Sequence, residues 1–204
     1  MIVSDYVVCR GFPCLDVEKT QYIVPQIDID PDNIQIVLIS ESSPQNLSDY
    51  YYMGNESLFT KTTLQAFNEA GIQAETLEEL VQRGIYFTTA IKYGKTGYLV
   101  KAATIKNCSQ LLEKELAFFP NVKVIMLMGD FAIKALNYIA KRQLGENVIP
   151  SGSTYKIRGK EYYYGEIRVF PSYLQAGQAY FIEQSKRRII KEDLQDELKI
   201  LEFI

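Results

Sequence analysis

The stretch Ile34-Gln-Ile-Val-Leu-Ile-Ser40, followed at once by Glu41-Ser-Ser-Pro44, decides the fold. It is short, β-branched and almost continuously apolar, which fits a strand covered on both faces. Three further runs read the same way: Ile85-Tyr-Phe-Thr-Thr-Ala-Ile91, Val122-Lys-Val-Ile-Met-Leu-Met128 and Glu166-Ile-Arg-Val-Phe170. Helical patterns lie between them. Leu58 to Ala70 sets Phe59, Leu64, Phe67 and Ala70 largely on one side, with Gly71 as a natural C-terminal stop. Thr76-Leu-Glu-Glu79 reads as a capping box opening a short helix through Val81. Ile105 to Phe119 stops at Pro120, and Asp130 is placed to cap a helix running to about Arg142. Thr154-Tyr-Lys-Ile-Arg158 and Glu161-Tyr-Tyr-Tyr164, around Gly159-Lys160, predict a β-hairpin. A last helical region runs from about Gln175 to Phe203.

Strand–helix alternation implies an α/β protein, a three-layer α/β/α sandwich with a short, mostly parallel central sheet. The expected organisation is one domain over 1–204: an N-terminal wrap over 1–33, a core over 34–188 and a helical tail over 189–204. In such sheets the ligand site lies beyond the carboxyl ends of the strands. Those ends are Ser40-Glu-Ser-Ser-Pro44, Thr88-Thr89, Gly129-Asp130 and Phe170-Pro-Ser-Tyr-Leu174. On position alone, Glu41 is the leading catalytic acid or base. The alternative is a loop carboxylate that caps the next segment.

Composition narrows the chemistry. The chain has no histidine, so a histidine base, a Ser-His-Asp triad and His metal ligands are excluded. Any acid–base step falls to Asp, Glu, Lys, Tyr or Cys. Cys9, Cys14 and Cys108 are odd in number, and the start carries no export-type signal, so a reducing cytoplasm is expected. No apolar run approaches the roughly 18–20 residues of a membrane span. A net charge of −3 does not favour avid nucleic-acid binding, though a local basic face is compatible with it. The sequence does not declare an oligomeric state.

The four strand ends resemble the uracil-DNA glycosylase superfamily, especially its iron–sulfur, thermophile-type branch. The likeness covers roughly Ile34 to Arg188. The Gly-Glu-x-Pro-Gly motif of that branch is similar to Ser40-Glu41-Ser42-Ser43-Pro44. Its base-stacking phenylalanine corresponds to Phe59 in Gly54-Asn-Glu-Ser-Leu-Phe59. Its Thr-Asn strand end is Thr88-Thr89 here, followed by Ile91-Lys92-Tyr93 for Val-Lys-Cys. Cys108, Pro120, Val124-Ile-Met-Leu-Met-Gly129 and Ala132 to Leu136 follow the next motifs. His-Pro-Ser becomes Phe170-Pro171-Ser172.

The resemblance implies a DNA-base glycosylase in which Glu41 positions water. Ser40, Ser42, Ser43, Phe59, Thr89, Phe170, Pro171 and Ser172 would bind the base. Tyr173 and Leu174 would wedge into the stack as a nucleotide is flipped out. The implied partner is DNA, including single-stranded DNA, with no membrane. The departures fall on the chemistry. Thr89 replaces an asparagine whose two-pronged grip on a base edge is worth about 1–3 kcal/mol of discrimination. Phe170 replaces a histidine donor, and losing one such donor typically costs on the order of 10²–10³ in rate. Three cysteines cannot complete a four-cysteine iron–sulfur site, and Tyr93 stands where the third ligand would be. No cluster and no other cofactor or metal is therefore expected.

Several residues carry two readings each. Phe59 either stacks on a base or packs in the core. Tyr50-Tyr-Tyr52 lines a groove or forms an aromatic rim. Lys186-Arg-Arg188 contacts phosphates or is a solvated helix face. Two further functions stay open beside the glycosylase: a catalytically inactive nucleic-acid or nucleotide-binding module on the same fold, and a small-molecule hydrolase that reuses the pocket.

Overall fold

The protein is described from a computed structural model, over residues 1–200 apart from Phe12 and Tyr98. The end of the predicted last helix and tail, 201–204, lies outside the described residues. Among the described residues six strands form one sheet: β1 (Val17–Glu18), β2 (Ile36–Ser43), β3 (Ile85–Lys95), β4 (Val124–Met128), β5 (Tyr162–Tyr164) and β6 (Ile167–Ser172). Their order is β1-β3-β2-β4-β6-β5. The four inner strands are parallel, and β1 and β5 close the two edges antiparallel.

The predicted strands are buried on both faces, as their composition requires. Val37, Ile39, Ile125, Leu127 and Val169 pack on one side with α3 (Ala102–Leu116) and α4 (Asp130–Gln143). Ile36, Leu38, Met126, Met128 and Phe170 pack on the other with α1 (Leu58–Ala70), α2 (Leu77–Gln82) and α7 (Gln184–Ile200). Ile190, Leu194 and Leu198 of α7 are buried in that second core, against α1. The architecture is thus an α/β/α sandwich around a mostly parallel sheet.

Local chemistry sets the helix ends. The Ser57 hydroxyl accepts from Thr60 N at 3.3 Å to start α1, and Gly71, at φ +113°, ends it. Thr76 caps α2 by accepting from Glu79 N at 3.2 Å. The reciprocal half of the expected box is displaced by one residue, because the Glu79 carboxylate accepts from Glu75 N instead. Asp16, from the N-terminal segment, accepts from Lys101 N at 2.6 Å and from the Thr104 hydroxyl at 2.5 Å. That contact starts α3 three residues before Ile105, at Ala102.

Two expectations are corrected. The hairpin predicted around Gly159-Lys160 lies further on. Thr154–Ile157 forms a short helix, α5, with Ile157 buried and Arg158 paired to Asp193 of α7. The true hairpin joins β5 to β6 through Gly165-Glu166, with Tyr164 opposite Ile167. Gly165, at φ +61°, supplies the left-handed conformation that a two-residue turn needs. The second correction concerns α4. Asp130 is its first residue rather than its cap, and it pairs with Lys134 one turn on.

Candidate functional site

The chain leaves β2 for α1 on one face of the sheet and leaves β4 for α4 on the other. The carboxyl ends of these adjacent parallel strands therefore diverge, and a crevice opens between them. Glu41 and Gly129 stand on its two sides. Gly129 has φ +99°, and a Cβ there would lie 2.6 Å from Glu41 Cγ and Oε1. Phe131 N donates to Glu41 Oε1 at 3.4 Å. The carboxylate thus occupies the N-terminal end of α4, which is a favourable place for a negative charge. It also does the capping that the sequence suggested for Asp130.

Glu41 borders two cavities. The smaller, of about 190 Å³, is lined by Glu41, Ser42, Ser43, Pro44, Gln45, Phe59, Lys95, Leu174 and Ala176. The larger, of about 290 Å³, adds Gly129, Asp130, Tyr173, Tyr180 and Lys186 among others. Leu174 and Glu41 are shared. The structure thus brings together Glu41, Ser42, Ser43, Phe59, Tyr173 and Leu174 of the expected site residues. Phe59 packs in the core, 8% exposed and edge-on against Tyr51 at 5.1 Å, and it also walls the smaller cavity.

Ser40, Thr89, Phe170, Pro171 and Ser172 do not line either cavity. The Ser40 hydroxyl donates to Thr88 O at 3.2 Å. Thr89 is fully buried, with its hydroxyl 3.4 Å from Ser43 Oγ. Phe170 faces α7 and is covered by the Arg168 guanidinium, 4.3 Å from the ring centroid. Pro171 pairs with Leu127 inside the sheet, and the Ser172 hydroxyl donates to Asp193 Oδ2 at 2.5 Å.

Tyr50 and Tyr51 are buried in the core beneath the site rather than exposed on a rim. Their hydroxyls point toward Thr88 and Thr89 and toward Ser40 and Thr63, but make no hydrogen bond there. Burial pushes both phenols above their ordinary range, so they stay protonated. Tyr52 closes the outer edge of β3: Phe87 N donates to its hydroxyl at 2.9 Å, and the hydroxyl donates to Phe87 O at 3.3 Å.

The basic run is mostly occupied. Arg187 pairs with Glu69, which also accepts from the Tyr180 hydroxyl at 3.0 Å. Lys186 pairs with Glu183 and lies 5.4 Å from the Tyr173 ring centroid. Lys95 is the charged residue of the smaller cavity that the motifs did not single out. Its ammonium sits 5.6 Å from the Phe131 ring centroid, and it forms no ion pair among the described residues.

The iron–sulfur cluster of the resembling branch does not fit the donors. A cluster of that kind takes four thiolates, and the chain has three cysteines, Cys9, Cys14 and Cys108. Tyr93, in the third-ligand position, packs its ring 5.1 Å from that of Tyr22. Among the described residues no three His, Cys, Asp or Glu side chains gather closely enough to hold a metal ion. No helix among them is long and apolar enough to cross a membrane.

The sheet order and the crevice between β2 and β4 define the class: a mostly parallel α/β protein with a crevice at the switch in strand order. The family model of the uracil DNA glycosylase superfamily matches residues 27–196, most of the chain, and the protein belongs to that superfamily. No curated protein matches the chain.

Proposed function

We propose that this protein binds an extrahelical base of DNA in the smaller cavity and hydrolyses its N-glycosidic bond. The supporting observation is the position of Glu41, a carboxylate at the carboxyl end of β2 that borders both cavities. The base would lie against Phe59. Glu41 Oε1 is engaged by Phe131 N, which holds the carboxylate in place. Its other oxygen would take the proton of a water whose oxygen bonds to the sugar C1′. The C1′–N bond breaks, and its electron pair leaves on the base. A positioned base of this kind contributes roughly 10²–10⁴-fold. Leu174, at the junction of the cavities, would be the wedge, with Tyr173 beside it. The substrate would be a deaminated or damaged base, in single- or double-stranded DNA. The odd cysteine count fits action in a reducing cytoplasm.

The test is base release from oligonucleotides carrying uracil, hypoxanthine or xanthine, with Glu41→Gln alongside. Release that drops by 10² or more in the variant, on the scale of a lost general base, supports the reading. No release from any substrate by folded protein overturns the hydrolysis.

A second reading is favoured by two particular side chains. Thr89 is sealed against Ser43, and Phe170 lies under Arg168. These are the positions at which the superfamily resemblance puts base reading and leaving-group support. A protein that binds single-stranded DNA in a salt-sensitive way, without releasing a base, would be a binding module on the same fold.

A further inference from the structure

We propose that Lys95 is the cation that takes up the negative charge of the base in the Glu41 cavity. The proposal deepens the glycosylase-like reading and rests on it for the presence of a base there.

The placement follows from the sheet. Along β2 and β3 the register runs evenly to Ser42 opposite Ile91, then jumps so that Ser43 faces Gly94. Two extra residues of β3 are taken up in that step, as in a bulge, which re-aims the strand that follows. Lys95 is thereby carried alongside Ser43 and Pro44. Its backbone is fixed from both sides, by pairing with Val17 of β1 and by Gln45 Nε2, which donates to Lys95 O at 3.3 Å.

Lys95 is one of the residues that line the smaller cavity. Its ammonium lies over the Phe131 ring, within the distance at which a ring face attracts a cation. Phe131 is the residue whose N–H holds Glu41. One aromatic residue therefore orients both charged groups of the cavity, an acid through its backbone and a cation through its ring. Lys95 and Glu41 do not pair with each other, and Lys95 has no other carboxylate partner among the described residues. The neighbouring cations Lys186 and Arg187 are committed to Glu183 and Glu69.

When the C1′–N bond breaks, the electron pair left on the base needs a donor. Phe170 offers none, and Lys95 is the cationic residue among those lining the smaller cavity. It donates a hydrogen bond to the base anion while Glu41 takes the proton of the incoming water.

The test uses free 5-nitrouracil, acidic enough to be an anion at neutral pH, against free uracil, which is neutral. Binding of each is measured by equilibrium dialysis to the wild type, Lys95→Met and Lys95→Arg. The wild type should prefer the anion roughly 10–100-fold, the size of one charge-assisted hydrogen bond. Lys95→Met should lose that preference, and Lys95→Arg should retain most of it. A preference that is absent in the wild type, or unchanged in Lys95→Met, overturns the role of Lys95 and leaves the base pocket standing. A wild type that binds neither base overturns the pocket reading itself, and the Lys95 proposal with it.

Discussion

The carboxylate of Glu41 fills the space that any side chain at Gly129 would occupy. Gly129 is required twice over, for its positive φ and for this close approach. Gly129→Ala should destabilise the protein by about 1–3 kcal/mol, the usual scale of local backbone strain. It should also displace Glu41 from Phe131. A double-mutant cycle in urea checks this: adding Glu41→Ala should recover part of the loss, because the clash is then gone. Strict additivity would contradict the contact.

The Lys92–Glu115 pair is fully buried between β3 and α3. Glu115 Oε1 also accepts from the hydroxyls of Tyr86 at 2.7 Å and Thr88 at 2.8 Å. Breaking one partner leaves a buried charge unpaired, so Lys92→Met should cost roughly 3–5 kcal/mol in chemical unfolding. Replacing both residues with methionine should cost less than replacing either alone.

Glu197 is buried in α7 with neither carboxylate oxygen hydrogen-bonded. Burial, reinforced by the Asp193 charge, lifts its pKa well above the ordinary value. The folded protein then keeps a proton that the unfolded chain releases once pH passes the ordinary carboxyl range. Stability must fall as pH rises from there to the folded pKa. Each tenfold difference in proton affinity between the folded and unfolded chain is worth about 1.4 kcal/mol. Glu197→Gln should therefore raise the urea midpoint at pH 8 more than at pH 4. An equal change at both would show that Glu197 is not held protonated.

The parallel core was legible because Ile36–Ser40 and Val124–Met128 are apolar on both faces, a pattern with few alternatives. The hairpin was misplaced because Gly159-Lys160 looks like a turn locally. Only the burial of Ile157 and the Arg158–Asp193 pair, across 35 residues, reveals a helix there. Glu41 stood out as a candidate from its place at a strand end. That it caps α4 through Phe131, 90 residues away, is a tertiary fact that no local pattern carries. The place of Lys95 in the cavity lining was not legible for a similar reason. Its reach depends on the register jump after Ser42, and one lysine beyond an apolar run gives no signal. Thr89 and Phe170 were named through resemblance, and the side chains around them are what sealed them in.

The hydroxyl of Tyr52 has a consequence for behaviour in solution. On the side away from β2, no strand among the described residues lies beside Phe87, and β1 reaches only the far end of β3 at Gly94 and Lys95. An open strand edge invites pairing with another copy of the chain. A single phenol occupies both the donor and the acceptor there, so the edge is blocked without a seventh strand. Damage at Tyr52 would accordingly surface first as self-association on concentration, while the crevice at Glu41 stayed intact.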